Sequence, residues 1–206
     1  MDSTWEKILG ICAIVGTLAM ALGYAILLQR SGQGPDSGWF FSHALLLIGV
    51  TLILPAIIGI RVLLNNIAGI TADIGMTLGF IGGLALVGQF AIDLAVGQLA
   101  ADQSEMITLF RSLSASLIIT LPFQSLGPIV FYSGLLVLTS LLWKHHIISW
   151  WAGLIACLGI VSVGSGALTG IGIVTFFGFL GMFIGFIPIG WKLLGASKED
   201  VGNSAN

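Results

Sequence analysis

Asp93 is the residue that most needs explaining. It stands in GQFAIDLAVGQLAADQSE (88–105), at the end of a long apolar, glycine-rich run, with Gln89 four residues before it. A carboxylate held in hydrocarbon is costly, about 2.5–3.5 kcal/mol at the middle of a spanning helix, so such residues mark ligand, ion or proton sites. Gln89 falls one helical turn away on the same face. Two more residues could complete a polar pocket: His43, four residues after Trp39, and Gln124, inside TLPFQSLGP (120–128). A His and an Asp at one depth can pair, and each amide adds a donor and an acceptor. The candidate ligand pocket is therefore His43, Gln89, Asp93 and Gln124. The competing reading is that these groups only satisfy one another.

The elements that must position them follow from composition. Of 206 residues, 57% are hydrophobic and 8% charged, against about 25% charged in an ordinary soluble domain. That leaves too little polar surface to cover a globule in water, whereas a bilayer removes the need for it. Apolar runs at about 7–29, 39–61, 69–98, 113–143, 147–168 and 171–194 each suit the ~20 residues that cross ~30 Å of hydrocarbon. The expected fold is an all-α integral membrane bundle of about six transmembrane helices over 1–194, followed by a polar tail at 195–206. Trp5, Trp39, Trp143, Trp150, Trp151 and Trp191 all fall at span ends, where an aromatic belt belongs.

With the N-terminus cytoplasmic, Lys7, Arg61, Lys144, Lys192 and Lys198 fall inside, against Arg30 and Arg111 outside. The positive-inside rule then places both termini in the cytoplasm of a cell bounded by this inner (plasma) membrane. MDSTWEK is not net positive, and the apolar run continues past AMA (19–21) to Leu28, so the first span reads as a retained helix rather than a signal peptide. Asp93 lies 24 residues beyond Gly69, about 36 Å along a helix, which puts it near the outer rim. His43 enters from that same side.

From Gln103 to Trp143 no clear loop appears, and this is too much chain for one crossing. DQSEMITLFRS begins as a short interfacial helix before span four, capped by Asp102 or Ser104, with Glu105 complementing its dipole. Pro122 and Pro128, with Gly127 between them, predict a kink or break that frees backbone carbonyls near Gln124 and Ser125. Gly75, Gly79 and Gly83 repeat every four residues, and Gly178, Gly181 and Gly185 have the same character. Such faces let backbones approach closely, within the chain or against a membrane partner.

Several chemistries lack their residues. Nothing basic enough to bind nucleic acid is present at a net charge of −2. Cys12 and Cys157 lie in spans and suggest no disulfide framework. His145 and His146 adjoin Lys144 at the opposite face from His43, so no haem or metal ligand set forms at one depth. No G-x-S-x-G turn occurs, and GSGAL (164–168) reads as packing or a span end. Arg61 and Asp73 read as a structural pair. Catalytic, metal and cofactor residues are accordingly expected to be none.

SHALLLIGVTLILPAIIGI (42–60) and YSGLLVLTSLLWKHHIISWWAGLIACLG (132–159) resemble multi-span bacterial membrane proteins of the domain-of-unknown-function type. The resemblance implies a helical bundle in a bacterial inner membrane. It brings no activity, and only His43 matches the pattern's histidine. Three functions stand in order of expectation. The first is a non-enzymatic subunit or scaffold of a membrane assembly, in contact with the lipid bilayer and with a membrane-protein partner or a second copy. The second is a small-molecule carrier or sensor using an outward-facing polar pocket, and the third is an intramembrane redox or hydrolytic enzyme.

Overall fold

A computed structural model describes residues 3–30, 32, 34–65 and 67–203. The regular elements are all helical: α1 (Ser3–Gln29), α2 (Ser37–Leu63), α3 (Gly69–Leu99), α4 (Gln103–Ser114), α5 (Leu117–Ile119), a π-helical segment Thr120–Leu126, α6 (Gly127–Lys144), α7 (Trp150–Thr169) and α8 (Gly172–Asn203). No strand occurs among the described residues. Six helices are long and apolar enough to cross a membrane, with α5, the π-helical segment and α6 together forming the fourth crossing over Leu117–Lys144. The last crossing ends at Gly195. The stretch expected as a polar tail continues as helical backbone to Asn203, and 204–206 lie outside the described residues.

The six crossings close into a ring in chain order, α1 against α2, α2 against α3, α3 against α6, α6 against α7, α7 against α8 and α8 back against α1. Short connections force consecutive helices to run antiparallel, so α1 begins and α8 ends on one side. We call that side the inner end, and the side carrying the α1–α2 loop and α4 the outer end. Helix α2 also touches α6 and α8, and its Val50, Ile53, Ala56, Ile57 and Ile60 are fully buried. Between apolar helices in lipid there is no hydrophobic drive, so close packing must hold the ring together. The glycine faces do this within the chain. A Cβ at Gly75 would press on Val137 and Leu138, one at Gly79 on Ile57, and one at Gly83 on Leu54. Gly181 and Gly185 meet Gly159 and Ala156 of α7 in the same way.

Of the tryptophans expected in an aromatic belt, Trp5, Trp150, Trp151 and Trp191 are exposed, whereas Trp39 is only 9% exposed and faces inward. Helix α4 is amphipathic and lies across the outer ends of α2 and α3. Its Met106 is buried in a small cluster with Trp39, Val96 and Ala100. Asp102 is its cap, accepting from the Glu105 amide at 2.9 Å, while Glu105 accepts from the Ala101 amide at 2.8 Å. Two reciprocal bonds of this kind satisfy donors that the helix start leaves free. The fourth crossing is irregular around Pro122 and Pro128, whereas Pro55 and Pro188 sit inside continuous α2 and α8. The chain is interrupted at Ala115–Ser116, widens into a π-helical turn containing Pro122, and resumes at Gly127, with Pro128 in the first turn where no amide donor is needed.

Candidate functional site

Helices α2 and α3 bring His43 and Asp93 together. His43 Nε2 stands 3.8 Å from Asp93 Oδ2, and both residues are buried, at 4% and 9% exposure. Asp93 lies six residues before the end of α3, about 9 Å below it, near the outer rim as its position in the sequence requires. The other ring nitrogen, Nδ1, is 2.9 Å from the Trp39 carbonyl oxygen and 3.2 Å from Ser42 Oγ. A carbonyl only accepts, so Nδ1 carries a proton and donates it. In a neutral imidazole Nε2 is then an acceptor facing a carboxylate, two lone pairs toward each other. The pair is satisfied when it holds one further proton, on the ring or on the carboxyl. At 3.8 Å the two groups stand beyond direct hydrogen-bond reach, and such a proton is what would join them.

Trp39 builds the roof. Its ring stacks on His43 with centroids 3.8 Å apart, its Nε1 donates to the Asp93 backbone carbonyl at 3.1 Å, and Phe110 of α4 meets its edge at 5.7 Å. Gly97 makes room for it, since a Cβ there would lie 2.7 Å from Trp39 Cδ1. Above it, the Arg30 guanidinium sits 5.1 Å from the ring centroid and binds both Asp36 oxygens at 3.1 Å. Asp36 in turn caps α2, accepting from the Trp39 amide at 2.8 Å. The Arg30 guanidinium holds the Asp36 carboxyl below its usual range, aided by that amide. The sequence offered one signal for this role: Trp39 is the belt tryptophan that stands four residues before a histidine.

Gln89 and Gln124 go elsewhere. Gln89 is one turn deeper than Asp93, and with Gln124, Ser125, Tyr132 and Ser133 it lines a separate cavity of about 500 Å³ between α3, the π-helical turn with α6, and α7. His43 and Asp93 are not in its lining, so the four residues expected as one pocket form two sites. The apolar walls include Ile129, Ile160, Val161 and Leu168, and no charged side chain lines the cavity. Ile129, Val161 and Leu168 are 50%, 52% and 78% exposed, so the cavity is open at its surface between α6 and α7. Among the described residues, two shielded side-chain polar atoms have no hydrogen-bond partner, Gln89 Oε1 and Thr139 Oγ1. Only Gln89 lines the cavity. Gln124 is held by Ser114, whose hydroxyl donates to its Oε1 at 3.4 Å.

No family model, curated protein or solved structure matches the chain. The site must therefore be read from its own geometry. Sequence reasoning missed Tyr132, Ser133 and Gly164 as lining residues. GSGAL (164–168), read as packing or a span end, does stand at the end of α7 and also supplies Gly164, Ala167 and Leu168 to the wall, while Gly166 packs against Thr175. Gly164 has nothing within 4 Å of where its Cβ would stand, so its missing side chain is part of the open space. Arg61 and Asp73 pair at 2.6 Å on the inner side, at the surface. A wider groove of about 840 Å³ also lies at the inner end, beside Trp151, Trp191 and Lys192. Apart from its two tryptophans, its polar side chains are Ser149 and Lys192, both exposed, as expected of a surface that meets headgroups.

Proposed function

We propose that this is a multi-pass protein of a bacterial inner membrane, both termini cytoplasmic, that binds a small amphiphilic molecule within the bilayer and serves as a non-enzymatic carrier or sensor for it. The orientation is supported by charge, since Lys7, Arg61, Lys144 and Lys192 share the inner end while Arg30 and Arg111 share the outer. The observation that carries the function is the cavity of about 500 Å³ that has Gln89 among its lining residues, a side chain whose shielded oxygen has no hydrogen-bond partner. Its volume lies within the ~300–1,000 Å³ of small-molecule sites, which combine apolar walls with a few placed polar groups. A shielded polar atom without a partner costs about 1–3 kcal/mol, and a bound polar group would recover part of that once the amide turns onto it. Single π-helical turns recur at functional sites, and the one over Thr120–Leu126 lines the cavity through Gln124 and Ser125.

The test is extraction from membranes in mild detergent followed by native mass spectrometry, for the wild type and Gly164→Phe. The variant fills the cavity from a position with no neighbour to displace. Retention of one small molecule per chain by the wild type and its loss from the variant supports the reading. Equal retention, or none in either, refutes it. A second reading, a subunit of a larger membrane assembly, is favoured by an apolar groove of about 310 Å³ along the lipid face of α2 and α3, lined by Ile58, Met76, Thr77, Phe80 and Ile81. A stoichiometric membrane protein co-purifying with the wild type, and lost on Ile81→Lys, would establish it.

A further inference from the structure

We infer that the cavity between α3, α6 and α7 takes an uncharged lipid with a free hydroxyl, of the mono- or diacylglycerol class, its headgroup at Gln89 and its chain leaving between α6 and α7. The inference rests on the binding function proposed above and adds the chemistry of the headgroup.

Three observations lead to it. First, the lining contains no Lys, Arg or His. A phosphate or carboxylate brought there would lose its hydration and meet no cation in return, so the common anionic lipids are disfavoured. Second, the polar groups present are two amides and three hydroxyls, those of Gln89, Gln124, Ser125, Tyr132 and Ser133. Gln124 already accepts from Ser114, which leaves Gln89 as the amide whose oxygen has no partner. A hydroxyl both donates and accepts, so it can pair with that amide whichever end is turned toward it. A quinone carbonyl only accepts and leaves the amide oxygen unsatisfied. Third, the mouth is apolar and faces outward from the bundle at Ile129, Val161 and Leu168, the direction from which a membrane-dissolved molecule arrives and in which its chain can remain.

The experiment uses the full chain in detergent and three probes with chains of eight to ten carbons, dioctanoylglycerol, dioctanoyl phosphatidic acid and decyl-benzoquinone, with binding read by thermal stabilisation and confirmed by equilibrium gel filtration. Dioctanoylglycerol should bind at least tenfold tighter than either of the others. Gln89→Leu should weaken it about tenfold, the size of one neutral hydrogen bond, and Gly164→Phe should abolish it. If Gln89→Leu proves unstable, Ser133→Ala, at an exposed position on the lining, replaces it with an expected severalfold loss. Phosphatidic acid or the quinone binding as tightly as the glycerol, in a manner still blocked by Gly164→Phe, overturns the headgroup assignment and leaves the cavity's binding function standing. Glycerol binding that neither polar variant weakens also overturns the assignment. Binding of all three that Gly164→Phe does not affect, or binding of none, removes the cavity as a ligand site and the inference with it.

Discussion

Gly134→Ala should destabilise the bundle, and by an amount that the packing of α3 on α6 sets. A Cβ at Gly134 would lie 2.6 Å from Gly79 Cα and 2.7 Å from the Gly75 carbonyl oxygen, where ordinary contact begins at 3.4 Å. Both neighbours are backbone, so no side chain can swing aside. The Gly79 backbone nitrogen would be nearer still, so helix α6 must withdraw by more than 0.8 Å, the difference between 3.4 and 2.6 Å, and overpacking of this kind costs about 1–3 kcal/mol. The same substitution also gains helix propensity, about 1 kcal/mol for Gly to Ala. Gly164→Ala supplies the control, because it gains the propensity with nothing within 4 Å of the new methyl. The difference in unfolding free energy between the two alanine variants therefore isolates the clash. Unfolding in mixed micelles by increasing SDS, followed by circular dichroism, should place Gly134→Ala about 1–3 kcal/mol below Gly164→Ala. Equal stability, or a more stable Gly134→Ala, would mean that α3 and α6 do not meet at these glycines. The cavity would fall with them, since the same two helices carry Gln89 and Tyr132.

Asp93→Leu removes the group facing His43 Nε2 and should cost about 1–3 kcal/mol, while Asp93→Asn, whose amide can donate to that nitrogen, should cost well under half as much; SDS unfolding measures both, and equal losses would refute the shared proton. Trp39→Phe keeps the stack on His43 but loses the bond to the Asp93 carbonyl, for about 0.5–1.5 kcal/mol in the same assay. Because Asp36 titrates lower when folded than unfolded, the ordering it gives the start of α2 is fully present above its usual value of 3.8 and fades as pH falls through the depressed folded value. Amide exchange at Trp39 and Phe40 should therefore quicken below about pH 4 in the wild type and show no such acid step in Asp36→Asn. The exposed Arg61–Asp73 pair should give a double-mutant coupling below about 1 kcal/mol; a larger value would mean that the pair is more than a surface contact.

The crossings were legible because each is a long apolar run, and the irregular fourth was legible from two prolines six residues apart with Gly127 between them, where the single prolines Pro55 and Pro188 leave α2 and α8 continuous. The common depth of His43 and Asp93 was legible, because it follows from counting residues along α2 and α3. Their meeting was not, because it needs α2 and α3 to be neighbours, which the fold supplies. What counting could not supply is lateral direction. Gln89 and Asp93 are one turn apart on α3, yet α3 lies between α2 on one side and α6 on the other, so a small rotation sends one side chain to His43 and the other to the cavity. Trp39 turns inward because Gly97, 58 positions later in the chain, leaves room for its ring. The cavity itself is a gap between α6 and α7, made in part by the missing side chain of Gly164, and a gap leaves no mark on hydropathy.

The central claim, that a lipid-like molecule enters the bundle between α6 and α7, is tested most directly by photo-cross-linking in bilayers with a diacylglycerol carrying a diazirine near its headgroup, the modified peptides being mapped by mass spectrometry. Occupancy of the cavity predicts labels concentrated on Gln124–Leu136 and Ile160–Leu168 and lost in Gly164→Phe. Labels spread over outward-facing residues such as Ile70, Ile81 and Phe177, unchanged by that substitution, would contradict it.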